Sequence, residues 1–341
     1  MMIDLAQTTT DRIHEAIRQA RQRLGGPASG MVLTLVIVTD EAAQYDAVRA
    51  ASEAAREHPC RVLAVITRRP EAGSRLDAEI RVGESGPGEV VLLRMYGALG
   101  EHADSVITPL LMPDTPVVTW WPGAPPHVPS RNPLGALAQR RITDAAGAAT
   151  PRDCLGNLAA HYSPGDTDLS WTRATPWRSL LAATLDQPHG TISGGRVEAE
   201  PGNPSADLIA SWLSVRLGVP FDRKPSSGPG VTGVIFETGD GEITLTRPDG
   251  RVAMLRRPGQ PERRVALHRR DTAELLAEEL RRLDPDEVYA ETIAPFVASQ
   301  PGLKRGGGSS RKRVAESGPV RGDTGRADTG RADAGRGNRV P

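Results

Sequence analysis

Four of the five tryptophans of this 341-residue chain fall between positions 120 and 177, and arginines accompany them. Indole and guanidinium are the side chains most enriched at interface hot spots, and a guanidinium can grip a carboxylate or phosphate through two parallel bonds. The first concentration is TPVVTWWPG (Thr115–Gly123). If its strand continues, Trp120 and Trp121 point to opposite faces. One can pack in the core, while the other needs a helix, a partner or a ligand wall. Burying one indole is worth roughly 4–6 kcal/mol. The second, SRNPLGALAQRRITD (Ser130–Asp144), offers Arg131, Arg140 and Arg141 as possible anion-binding residues or as members of surface and interdomain ion pairs. The third, YSPGDTDLSWTRATPWRSLLAATLD (Tyr162–Asp186), crowds Asp166, Asp168, Trp171, Arg173, Trp177 and Arg178 together. It reads either as a partner interface, for which Trp121, Trp171, Arg173, Trp177 and Arg178 are the candidate contacts, or as an interdomain hinge with internally satisfied Asp–Arg pairs. The fourth, GNPSADLIASWLSVRLG (Gly202–Gly218), reads as a capped amphipathic helix.

The usual catalytic constellations are missing. No glycine-rich loop carries a phosphate-binding lysine, and GESGPG (Gly83–Gly88) lacks dinucleotide-fingerprint spacing and does not open a helix after the first strand. The turn after that strand is Thr39–Asp40, without glycine. The seven histidines show no metal-ligand spacing, and there is no GxSxG elbow. Neither an enzyme nor a bound cofactor or metal is expected. Cys60 and Cys154 lie outside any CxxC pattern, which suits a reducing cytosol and reads as two ordinary buried thiols, with a redox pair as the alternative.

Lys plus Arg and Asp plus Glu both number 42, so no basic surface for specific nucleic-acid binding is expected. From Pro301 onward there are ten basic residues against four acidic ones, and a repeat, RGDTG-RADTG-RADAG-RG, runs from Arg321 to Gly337. Such a segment buries too little apolar surface to offset its ordering entropy, so residues 303–341 are expected to be a disordered basic tail. No apolar run approaches the roughly 20 residues of a membrane span, and the N-terminus has no signal core. The expected location is cytoplasmic.

The elements that must position these motifs follow from periodicity. Thr10 to Leu24 is an amphipathic helix with Ile13, Ile17 and Leu24 on one face, stopped by Gly25, Gly26 and Pro27. Met31–Val38 and Arg61–Ile66 are continuous apolar runs, as in strands covered on both faces. The helix between them is expected to take Asp40 as N-cap and to stop at Pro59. Leu76–Val82, Val90–Met95 and Pro116–Trp121 are further strands, with a short helix over Leu99–Ile107. Helices are expected around Asp153–Tyr162 and Pro176–Leu185, the latter capped by Thr175. Then come a strand (Thr191–Glu200), a helix (Pro204–Leu217), a three-strand meander from Val231 to Leu255, and helices over Asp271–Leu283 and Pro285–Ser299. The expected class is α/β: an open, mostly parallel sheet domain (1–150), a helical connector with a smaller α+β domain (151–302), and the tail (303–341).

The strings TPVVTWWPG, NPLGALAQRRITD, DLSWTRATPWR and GNPSADLIASWL resemble the OpcA family of glucose-6-phosphate dehydrogenase assembly proteins, over Leu5 to about Gln300. The resemblance implies a two-domain α/β protein that binds glucose-6-phosphate dehydrogenase in the oxidative pentose phosphate pathway and acts as a non-catalytic assembly factor or allosteric activator. It transfers no catalytic residue. The alternative is a sugar-phosphate or nucleotide-binding sensor, or an enzyme, with Arg131, Arg140 and Arg173 as an anion clamp.

Overall fold

A computed structural model describes residues 1–24, 30–68, 73–83 and 88–298. The stop after the first helix (25–27), most of the Gly83–Gly88 loop and the expected tail lie outside the described residues.

The first half builds β1 (Met2–Leu5), α1 (Thr10–Leu24), β2 (Leu33–Thr39), α2 (Gln44–Ala54), β3 (Cys60–Arg68), β4 (Arg75–Val82), β5 (Glu89–Tyr96), α3 (Ala103–Ile107), β6 (Val117–Trp120), α4 (Pro133–Ala136), β7 (Arg140–Thr143), α5 (Pro151–Ala160) and β8 (Asp166–Asp168). The eight strands form one sheet in the order β1-β4-β5-β3-β2-β6-β7-β8. Pairs from β5 to β8 are parallel, whereas β4 and β1 add antiparallel at one edge. The order from β5 to β8 is that of a doubly wound dinucleotide-type sheet, reversing between β2 and β6. Successive residues of β2 and β3 feed opposite faces: Leu35, Ile37, Val62 and Ala64 pack under α2, while Val36, Leu63 and Val65 pack with Ile13 and Ile17 of α1. That two-sided burial is why both strands read as unbroken apolar runs.

The second half builds α6 (Leu169–Leu185), β9 (Ile192–Ala199), α7 (Pro204–Leu217), β10 (Phe221–Pro225), β11 (Val231–Thr238), β12 (Gly241–Thr246), β13 (Val252–Arg256), β14 (Arg263–Ala266), α8 (Thr272–Arg281) and α9 (Glu287–Ala298). Its six-stranded sheet runs β10-β9-β11-β12-β13-β14. All neighbours are antiparallel except β9 and β10, which α7 connects. Trp177 and Leu181 of α6 and Ile209 and Leu213 of α7 meet Val234, Phe236 and Leu245 in its core. The fold class is the expected one: a large mostly parallel sheet, then a smaller sheet with helices. However, α8 returns to the first sheet, where Leu275, Leu276 and Leu280 close the apolar face beside α2.

Several local expectations are corrected. Leu24, in the last turn of α1, is 50% exposed, unlike the buried Ile13 and Ile17 on its face. Asp40 accepts from the Ala43 amide at 2.8 Å and so caps the turn that precedes α2, whose own N-cap, Ala43, has no side-chain bond. The segment over 97–107 is a 3₁₀ turn followed by only five α-helical residues. The largest change is at α6, which starts at Leu169 and carries Pro176 inside it. Its N-cap is Asp168, which accepts from the Ser170 amide at 2.8 Å. Proline at 176 leaves the Thr172 carbonyl without its helical donor, and Arg270 supplies one instead, at 2.7 Å. A distant guanidinium therefore lets the helix run through a residue that would otherwise begin it.

Candidate functional site

The carboxyl ends of β6, β7 and β8 feed the tryptophan–arginine region. Trp121 follows β6, and its amide donates to the Ile142 carbonyl at 2.9 Å. Its ring lies over Gly135, where a β-carbon would stand 3.1 Å from the indole and 1.9 Å from the Pro129 carbonyl oxygen. Glycine in NPLG is thus what lets α4 and its preceding turn close on the indole. Trp120 is buried on the other side, beneath α2.

Charges on these short strands are paired inward. Arg141 donates to Asp166 on the neighbouring strand and to the Ala138 carbonyl at 2.8 Å. Arg140 donates to Glu279 of α8 and to the Asp284 carbonyl at 2.8 Å. Glu279 also accepts from the Thr172 hydroxyl at 2.6 Å. Arg173 grips Asp144 with two bonds, 2.6 and 2.7 Å. Burial pushes the Asp144 carboxyl up against the opposing pull of Arg173. Of the three possible anion-binding arginines, Arg140 and Arg141 already hold carboxylates, and only Arg131, at the end of a 3₁₀ turn, is exposed.

The five candidate contact residues do not form one patch. Trp121, Trp171 and Trp177 are 3%, 1% and 2% exposed, so each indole is a core residue reached only past its neighbours. Arg178 lines one cleft with Trp171 stacked beneath it, Trp177 and Arg173 line a separate small cavity, and Trp121 belongs to the β6–α4 junction. Apolar area explains the burial, because an indole left on a surface forfeits several kcal/mol.

The cleft lies between α6 and the α8–α9 connection and encloses about 640 Å³. Arg178 forms its floor, its guanidinium stacked 3.5 Å over the Trp171 ring. Trp171 donates through Nε1 to Asp286 at 2.8 Å, and Tyr289 flanks it with ring centroids 5.8 Å apart. Arg178 bonds the Thr175 hydroxyl at 3.0 Å, its Nε has no partner, and it makes no ion pair among the described residues. Burial lowers its guanidinium to about 10, so it is still a cation at neutral pH. Glu278, Asp284, Asp286 and Glu287 give the rim an acidic character. Sequence reasoning missed Asp286 and Tyr289. Asp286 has a legible role in capping α9 through the Tyr289 amide, but its bond to an indole 115 positions away has no local signal.

At the sheet's reversal point, where a doubly wound fold would hold a dinucleotide, lies a cavity of about 380 Å³. Asp46, Glu53, Asp144 and Asp271 line it, with Arg49 as its one lining cation, and Arg49 is paired with Asp46 at 3.0 Å. The Asp40 carboxylate holds the turn where a pyrophosphate would need free amides. The residues present do not suit a dinucleotide. Among the described residues no acidic, histidine or cysteine cluster could hold a metal, and no helix is long and apolar enough to cross a membrane. Cys60 and Cys154 are free, and burial pushes their thiols up to about 12 and about 11.

Comparison with known proteins gives two consecutive family matches. Residues 51–160 match the N-terminal domain, and residues 164–293 the C-terminal domain, of the family described as glucose-6-phosphate dehydrogenase subunit. A Synechocystis sp. protein described as an OxPP cycle protein OpcA is 29% identical over 138 residues, covering 38% of this chain and 29% of that protein. A Synechococcus elongatus protein of the same description is 24% identical over 259 residues, covering 69% of this chain and 53% of that one. The chain thus spans about half or less of these relatives. Among solved structures, a 3-ketoreductase from Actinomadura kijaniata is 11% identical, with a TM-score of 0.43 over 78% of this chain and 96% of that one. A likeness that weak supports no inference about activity.

Proposed function

The chain belongs to the OpcA family, and on that footing we propose that it is a cytoplasmic, non-catalytic partner of glucose-6-phosphate dehydrogenase that docks on the enzyme and promotes its assembly or activation. The observation that carries the proposal is the pair of matches to both halves of a glucose-6-phosphate dehydrogenase subunit family, in order, along one chain. The acidic crevice at the sheet's reversal point supports the non-catalytic part, because it opposes binding of a dinucleotide pyrophosphate.

Docking would act by population shift. A partner that binds the active enzyme oligomer ten times more tightly than the inactive form supplies about 1.4 kcal/mol. Within this reading the α6 cleft is the contact region. Arg178 is a largely desolvated cation held on an indole, with no direct ion pair among the described residues although Asp286, Glu278 and Glu279 lie near it, and a hydrogen-bond acceptor of the enzyme would complete its free Nε.

The test is the activity of the cognate dehydrogenase with and without the purified chain, together with co-elution on a sizing column. A saturable rise in rate or a change in substrate affinity, with a complex, is expected. The absence of both at micromolar concentrations overturns the proposal. Arg178→Met, which keeps much of the apolar stem over Trp171, should weaken the complex by about tenfold or more, as loss of a charge-assisted contact does. An unaltered complex would remove the cleft from the interface.

A further inference from the structure

On the other side of α6, a small cavity of about 70 Å³ is formed where α6, the first turn of α7, the start of β11, the end of β12 and the β14–α8 link converge. Its lining includes Arg173, Arg247, His268, Arg269 and Arg270 and contains no carboxylate. We infer that this cavity is an anion site for a tetrahedral phosphoryl dianion, either free phosphate or the terminus of a phosphomonoester.

The charge balance points there first. Arg173 is answered by Asp144 and Arg270 by Glu278, both carboxylates lying outside the lining. Arg247 and Arg269 have no ion pair among the described residues. Two guanidinium groups without a direct ion pair, of which Arg247 has only the more distant Asp249 acting on it, suit the charge of a phosphoryl dianion.

Arg247 is the second observation. It is only 5% exposed, yet it donates to two carbonyls, Leu267 at 2.9 Å and Val231 at 3.2 Å, and to no acid, and its Nε has no partner. A buried cation so placed is costly unless something neutralises it. Burial and the nearby Arg269 lower its guanidinium to about 10, and a bound dianion would reverse that direction. Its charge sits 5.0 Å from the Trp177 ring centroid, within reach of the ring's negative face.

The remaining parts complete a cradle. Ser205, 6% exposed, brings a hydroxyl from the first turn of the 14-residue α7, whose macrodipole is positive at that end. Asn203 caps the same turn through the Ala206 amide at 3.1 Å, which fixes the helix end against the cavity. Arg269 lies along Gly230 and Gly250, both in the left-handed region, and a β-carbon on Gly250 would stand 3.3 Å from its Cδ. Glycine there lets an exposed arginine bend over the cavity. About 70 Å³ is several times the roughly 10–15 Å³ that one buried water needs on the same measure, room for a phosphoryl group.

The experiment is isothermal titration of the full chain alone with inorganic phosphate and, separately, with glycerol 3-phosphate, against chloride at equal ionic strength. Saturable one-site binding of phosphate is expected. Binding of both probes would identify a site for a metabolite's phosphoryl end, and binding of phosphate alone a site for the free ion. Binding of neither beyond the chloride control overturns the inference. Arg247→Ala would also disturb folding, so the deciding variant is Arg269→Glu, an exposed residue with no ion pair to lose. It should weaken phosphate binding by about tenfold or more with an unchanged circular dichroism spectrum. Arg49→Glu makes the same change in net charge on α2 and should leave binding as it was. Equal binding by Arg269→Glu and the natural chain would also overturn the site. The dehydrogenase is absent from this assay, so its result is independent of the docking proposal.

Discussion

Single buried charges in this protein are held by specific partners, and their removal should be read one partner at a time. Glu279 is 6% exposed and serves both Arg140 and Thr172. Replacing it with alanine strands a buried guanidinium, so Glu279→Ala should cost about 3–5 kcal/mol in denaturant unfolding. Adding Arg140→Met should recover part of that loss, since the unpaired charge goes with it. Glu79 shows the pH consequence. Burial pushes its carboxyl up, but bonds from Arg81 and Arg94 outweigh burial and leave it below its ordinary value. A carboxylate with a depressed folded pKa stabilises the fold above its unfolded value, about 4.3, and loses that contribution as pH falls through the folded one. Glu79→Gln should therefore cost about 1–2 kcal/mol at neutral pH, with the difference closing below pH about 4. Arg141 and Asp166 show why such residues mislead from sequence alone. RRIT and DTD look like surface polarity, yet each lies in a buried strand where the two charges answer each other.

Elements depend on residues outside themselves. The amphipathic and apolar elements of the first half were legible because each buries one stripe or both faces of its own sequence. Helix α6 was not, because its continuity through Pro176 rests on Arg270, 94 positions from that proline and across the fold. Arg270→Met should destabilise the protein by about 1–3 kcal/mol by leaving the Thr172 carbonyl without a donor. Pro176→Ala restores the helical amide, so the same arginine substitution should cost less in that background. A double-mutant cycle should give a coupling of at least about 0.5 kcal/mol. Additive effects would mean that the arginine's worth lies in its pair with Glu278. Strands β7, β8, β10 and β14 escaped the sequence reading for a related reason. They are three to five residues long and polar, and only pairing with a neighbour makes them strands.

Across the whole molecule, α8 bears on the expected division near residue 150. Leu275, Leu276 and Leu280 belong to the core of the first sheet, so the N-terminal half lacks part of its own cover. We propose that the two halves are folding partners. A fragment ending at residue 165 should bind hydrophobic dye and show no cooperative thermal transition, while the chain to residue 298 should unfold in one step. A cooperative transition in the fragment would restore the picture of independent domains.

The sequence by itself determined the α/β class, the two-sided burial of β2 and β3, the meander of the second sheet and, through long low-probability strings, the family. These follow from patterns within 10 to 15 residues or from similarity of whole motifs. Tertiary structure alone decided which arginines have carboxylates and which do not. It separated Arg178 and Trp171 from Arg173 and Trp177, and set Arg247 and Arg269 beside one small cavity. Charge compensation depends on distances of a few ångströms between residues far apart in the chain, and no local period encodes those distances.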